Sequence, residues 1–266
     1  MKLLRETIRQ ILLEDIEAFW EDWESVAQQG KIKFKQGYWG GDTLLGSSGK
    51  EIKKLFRKHA DHKWFKLNVN TVHWGEAPNL MKLLGRNKDE FSCSMSLKGK
   101  PFPEAAEVYG NVGLWLDGWI TLAANDQDDI VSGYEEDYKI GRLGPTPEKY
   151  KHRKASSGIN KYPQTPGHRN HNHPSSYVLD ADTFDQATVD DGEYLNEALV
   201  DNWQCIGVVV GEDIGKIIEE DWPKYDNFEI LAILRLADIF DQPIYRMDGT
   251  VLRYPGEMDI DDAQFE

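Results

Sequence analysis

Three short stretches of this chain carry residue types that do chemistry. His73 stands beside Trp74 in "TVHWGE". In "FSCSMS", residues 91–96, Phe91, Cys93 and Met95 alternate strictly with Ser92, Ser94 and Ser96. Glu197 lies in "NEALVDNW", shortly before the apolar run 205–210. Serine hydroxyls both donate and accept hydrogen bonds, so a row of them can orient a polar substrate or a carboxylate. An imidazole donates without carrying a permanent charge. The same features also fit a half-buried strand with one wet face, a hydrogen-bonded strand histidine and a surface glutamate. A fourth stretch, "HRNHNHP", places His168, His171 and His173 within six residues. Three imidazoles can hold zinc and leave a position open for water, as a zinc-dependent hydrolase needs, although this spacing matches no common zinc pattern. The stretch equally fits a loop of titrating histidines.

These residues need elements to hold them. Residues 2–24 place Leu4, Ile8, Ile11, Leu12, Ile16, Phe19, Trp20 and Trp23 at helical spacing, opposite an acidic face. Glycine-rich residues 30–50 predict loop around short extended pieces, and a basic helix follows at 50–60. Extended segments are expected at 67–74, 91–96 and 112–123, with helix-like spacing at 79–86. Residues 125–176 are polar, hold five prolines and show no sustained period, which predicts a long insertion able to act as a lid. Residues 205–210 read as a buried strand and 227–240 as a helix. Residues 244–255 read as a hairpin turning at Asp248-Gly249. The expected organisation is an N-terminal amphipathic helix (1–25), a single α+β domain (26–255) with the insertion, and an acidic tail (256–266).

In order, the parts are a strand with His73, a helix, a serine-faced strand, a further strand, and Glu197 before a later strand. This order resembles the ADP-ribosyltransferase family, whose split sheet binds NAD. The resemblance covers roughly residues 67–211 and implies a small split β-sheet with NAD as substrate. It casts His73 as an NAD contact, Ser92 and Ser94 as orienting residues and Glu197 as the catalytic carboxylate. Cleavage of the nicotinamide–ribose bond builds positive charge on the ribose, and a carboxylate held against it stabilises the transition state more than the ground state. Trp74 or Tyr109 would stack on the nicotinamide. The family's branch with His in the first position usually carries tyrosine in the second, and its serine branch usually begins with arginine; here His73 and the serines combine the two. Leu195 stands where arginine-modifying members carry an acidic or amide side chain, so the resemblance does not imply an arginine acceptor. The implied partner is a host protein or other macromolecular acceptor.

The composition narrows the field. With 46 acidic and 31 basic residues the net charge is −15, which disfavours general nucleic-acid binding. No apolar run approaches the ~18 residues of a membrane span. Cys93 and Cys205 sit in apolar runs and read as buried thiols. The first residues, "MKLLRETIRQILLE", lack the features of a secretory signal. They resemble the tags of internal head proteins of large tailed bacteriophages, which bind the assembling scaffold and are removed after Leu/Ile-x-Glu, here Leu12-Leu13-Glu14. Some such phages package an ADP-ribosyltransferase. The resemblance implies a virion or host-cytoplasm location and a phage head scaffold or capsid as partner. The cleavage pattern recurs at Leu195-Asn196-Glu197 and at Ile217-Ile218-Glu219. The other readings are an ordinary helix packed on the domain and a non-enzymatic virion or host-interaction protein.

Overall fold

The computed structural model describes residues 18–19, 21–32, 34–36, 42–44, 46–84, 90–102, 109–124, 177–184, 196–220 and 228–255. The first 14 residues, the insertion at 125–176 with its three histidines, and the acidic tail lie outside the described residues. The chain divides into two compact units, residues 1–66 with 121–197 and residues 67–120 with 198–266.

The first unit contains helix α1 (21–28), a two-stranded antiparallel pair of β1 (Phe34–Gln36) with β2 (Asp42–Leu44), helix α2 (Gly46–His59) and most of α3 (His62–Asn68). Helix α2 buries Ile52 and Phe56, four residues apart and so on one face. It ends in Arg57 and Lys58, cations that complement the negative end of the helix dipole, followed by His59. Phe19 and Trp23, also four apart, are both buried. Phe19 packs edge-on against His59 (centroids 5.7 Å) and Tyr177 (5.6 Å), and Trp23 lies 5.8 Å from Tyr177. Between them Asp22 Oδ2 accepts from Lys58 Nζ (2.5 Å) and contacts His59 Nε2 at 2.7 Å. Those two aromatic residues of the amphipathic stripe are therefore used inside the unit.

The second unit contains β3 (Val69–Gly75), α4 (Ala77–Leu84), β4 (Glu90–Leu97), most of β5 (Val112–Ala124) and of β6 (Glu197–Val210), α5 (Glu212–Glu220), α6 (Phe228–Phe240), β7 (Ile244–Tyr245) and β8 (Val251–Arg253). Its six-stranded mixed sheet has the order β4-β3-β5-β6-β7-β8, and β4 pairs with β6 as well. The pairings of β4, β3, β5 and β6 thus close on themselves, while β6 and β7 run parallel. The expected α+β class holds. Strand β6 begins at Glu197, earlier than the apolar run suggested. It passes through a left-handed residue, Asn202 (φ 48°), a conformation that Asn tolerates better than most residues. Residues 198–201 before that point pair with β4, and residues 208–209 beyond it pair with β7. The hairpin forms as expected, with Gly249 at φ 83° and Asp248 Oδ1 accepting from the amide and hydroxyl of Thr250.

Candidate functional site

Strands β3 and β4 are antiparallel neighbours, with Val72 opposite Ser94 and Asn70 opposite Ser96. Directly paired residues point to the same face, and successive residues to opposite faces. The serine face is therefore shared with Asn70, Val72 and Trp74. His73 belongs to the other face, where its ring lies 4.6 Å from Phe91, which in turn packs edge-on against Trp203 at 4.9 Å. The resemblance casts His73, Ser92 and Ser94 as parts of one NAD site, but β3 puts the His73 side chain on the face opposite the serines, because successive strand residues cannot share a face.

The serine face also differs from a wet surface. Ser92 is exposed, but Ser94 is only 8% exposed and Ser96 is buried, because β4 is covered on both faces over residues 93–96. Ser94 Oγ accepts from the buried Trp74 indole N–H (2.9 Å) and donates to the Val72 carbonyl (3.3 Å). Both of its roles are filled by the protein. Trp74 has room for its indole because Gly113 stands opposite it on β5, where a Cβ would come within 2.3 Å of Val72 and 3.2 Å of the indole. A buried ring with its N–H engaged does not offer a stacking face. Ser96 Oγ and Asn70 Oδ1, opposite each other and buried, have no hydrogen-bond partner.

His73 Nδ1 lies 2.6 Å from the Ser92 carbonyl. A carbonyl only accepts, so Nδ1 carries the proton and the ring orientation is fixed. Tyr109 is 50% exposed just before Gly110, which lies so close to the end of β3 that a Cβ would fall 2.0 Å from the Gly75 carbonyl carbon. Glu197 opens β6 one residue before Ala198, the partner of Cys93. Alternation gives it the parity of Leu199, the partner of Ser92, and hence of the serine face. It is 6% exposed, a buried carboxylate where a surface glutamate was one expectation. In the first unit its charge acts on Tyr177, whose phenol is held well above its ordinary ionisation range, first by burial and then by Glu197.

A cleft of about 640 Å³ opens elsewhere in the second unit, beyond the carboxyl ends of the parallel strands β6 and β7. Its walls carry Glu212, Asp213, Glu219 and Asp248 against Lys216 and Arg246. Lys216 is ion-paired to Glu212 at 2.8 Å and Arg246 to Glu219 at 2.9 Å. Four carboxylates facing two paired cations repel a pyrophosphate, so this cleft does not suit a dinucleotide despite its size. None of His73, Trp74, Ser92, Ser94, Tyr109 and Glu197 lines it. Among the described residues no cluster of His, Cys, Asp and Glu is arranged to hold a metal ion. No helix among them is long and apolar enough to cross a membrane. Sequence reasoning missed Tyr177 and Trp203, both reached only through strand pairing and ring contacts, for which the sequence carries no local signal. Comparison with protein-family models, curated proteins and solved structures finds no match.

Proposed function

We propose that this chain is an NAD-consuming enzyme of ADP-ribosyltransferase type that modifies a macromolecular acceptor. Strand adjacency carries the reading: the three motif-bearing segments lie on strands paired in succession, β3 to β4 and β4 to β6. Glu197 is the carboxylate that meets the developing ribose cation, and exposed Ser92 is the serine placed to orient substrate. Ser94 acts through Trp74, which it holds by the indole N–H. His73, fixed by the Ser92 carbonyl, reaches NAD only from the opposite face or past the strand end. The N-terminal sequence supports a phage virion, or the host cytoplasm, as the place of action. The test uses NAD labelled separately in nicotinamide and in adenylate, incubated with the protein and host lysate. Release of nicotinamide with transfer of the adenylate label to a macromolecule is expected. A cooperatively folded protein that releases no nicotinamide would refute the proposal.

A second reading has one observation in its favour. His73 and Ser94 occupy opposite faces, and Ser94 spends both its donor and an acceptor position inside the protein. A binding protein that uses the sheet only as scaffold needs no convergence of these residues. Under that reading NAD is left intact, and substitutions at Ser94 change stability alone.

A further inference from the structure

Neither functional reading uses the cleft of the second unit. It opens beyond the carboxyl ends of β6 and β7, which run parallel, a recurrent position for ligands in sheets with parallel strands. Its volume of about 640 Å³ is that of a ligand site. The frame is tied at three points. The Asn111 carbonyl accepts from Gly211 N–H (2.9 Å), which fixes the turn from β6 into α5. The Met247 carbonyl accepts from Phe102 N–H (2.8 Å) and holds the hairpin wall. Arg246 reaches from that wall to Glu219 on α5 (2.9 Å). The charges then decide what fits. A helix start attracts anions, but Glu212 and Asp213 stand in the first turn of α5 and already supply that negative charge. Lys216 and Arg246 are each held by a carboxylate, and neither pair uses Asp213 or Asp248. Bonds from the Thr250 hydroxyl and amide hold the Asp248 carboxyl below its usual range, so it is charged at neutral pH. Four carboxylates against two cations leave two negative charges in excess. No group of residues among those described is arranged for a metal ion, so the matching ligand is an organic cation. Val210, Ile214 and Met247 add apolar wall, which suits an aliphatic stem behind a charged head.

We propose that this cleft binds an arginine or lysine side chain presented by a segment of a partner protein. The stem lies on the apolar wall and the cationic head meets Asp213 and Asp248, the two carboxylates outside the ion pairs. A simple alkylamine would leave much of the volume unfilled, whereas a basic residue with its flanking backbone occupies it. The site stands whether or not the chain consumes NAD. The test is NMR titration of the ¹⁵N-labelled full chain with acetyl-Ala-Arg-Ala-amide, its Lys and Glu counterparts, and spermidine. Asp213→Asn and Asp213→Lys are compared with Glu24→Lys, an exposed position of the first unit that changes the net charge as much as Asp213→Lys does.

The Arg and Lys peptides are expected to shift the amides of Asn111, Gly211, Asp213 and Gly215 with a Kd on the order of 0.1–1 mM, and the Glu peptide to shift none of them. Asp213→Asn should weaken the Arg peptide about two- to fivefold and Asp213→Lys about tenfold or more, with Glu24→Lys within about twofold of wild type. Raising the salt should weaken binding to the wild type, since the carboxylates that meet the head are exposed. Should Asp213→Lys melt early, Asp213→Asn, which keeps the size of the side chain, decides alone. Equal weakening by Asp213→Lys and Glu24→Lys would trace binding to the diffuse negative charge of the chain and overturn the site. Shifts that map elsewhere, or none at 10 mM peptide, overturn it as well. Spermidine binding as tightly as the peptides would overturn the assignment to a protein segment.

Discussion

Glutamine at position 197 keeps the size of the side chain and one carbonyl acceptor, and removes the negative charge. If Glu197 faces the ribose cation, the substitution removes stabilisation made in the transition state. Loss of one preorganised electrostatic group costs about 10²–10³ in kcat, or about 2.7–4 kcal/mol in the barrier. NAD affinity should stay within a few-fold, because the ground state has little of that charge. The consequence for folding follows from burial. Glu197 is only 6% exposed, so the new amide N–H₂ must find an acceptor within the protein or go unmatched. A buried polar group left unmatched costs about 1–3 kcal/mol, offset in part because a neutral amide is cheaper to bury than a carboxylate. The melting temperature should therefore fall by up to a few degrees per kcal/mol for a chain of this size, and cooperativity should survive. Nicotinamide release, NAD binding and thermal melting on the same pair of proteins separate these effects. Turnover unchanged in a folded mutant would refute the assignment of Glu197. Turnover lost in step with folding would make the residue structural.

Ser94→Ala removes the acceptor for the buried Trp74 indole N–H and should cost about 1–3 kcal/mol in chemical denaturation; Ser94→Thr, which keeps the hydroxyl, should cost less. Equal stability of Ser94→Ala and wild type would show that the indole finds another partner. Phe19→Ala opens a cavity where the ring meets His59 and Tyr177 and should cost about 3–5 kcal/mol. On the reading of the first residues as a removable tag, deletion of residues 1–14, which spares Phe19, Asp22 and Trp23, should leave the melting temperature within about a degree. A large loss on that deletion would mean that the first residues belong to the fold. Burial pushes the Cys205 thiol up to about 11, and Cys93 is buried too. At pH 8 about one Cys205 in a thousand is thiolate, so neither cysteine should react with a disulfide reagent until the protein unfolds. Stoichiometric labelling of the native protein would contradict the burial of both.

The elements were legible where local chemistry decides them. Asp248-Gly249 between two extended runs gave the hairpin, because the turn needs a residue tolerant of positive φ at 249. Periodicity gave the helix at Phe228–Phe240, and alternation gave β4. The start of β6 at Glu197 was hidden because "EALVDNW" mixes polar and apolar residues. What makes it strand is pairing with Phe91, Ser92 and Cys93, residues about a hundred positions away. The burial of Ser94 and Ser96 was hidden for the same reason. Alternation reports two faces, but only tertiary partners decide whether the polar face meets water or another layer.

The candidate site was legible as a set of strands and not as a set of side chains. Which face a strand residue takes relative to its neighbour depends on register, and a shift of one residue exchanges the two faces. "HW" at 73–74 offers an imidazole and an indole to opposite sides of β3, and only the pairing of Val72 with Ser94 shows that the indole goes with the serines. The same parity places Glu197 with Ser92 and leaves His73 with Phe91 and Trp203. An enzyme built on the serine face therefore relies on Glu197 and Ser92, with His73 outside that group. His73→Ala then becomes the informative substitution. On the serine-face geometry it should change KM for NAD by less than about threefold, well below the tenfold that 1.4 kcal/mol of lost binding would give. A rise of tenfold or more, with melting unchanged, would show that NAD is held from the His73 face and that the working surface is the one opposite the serines.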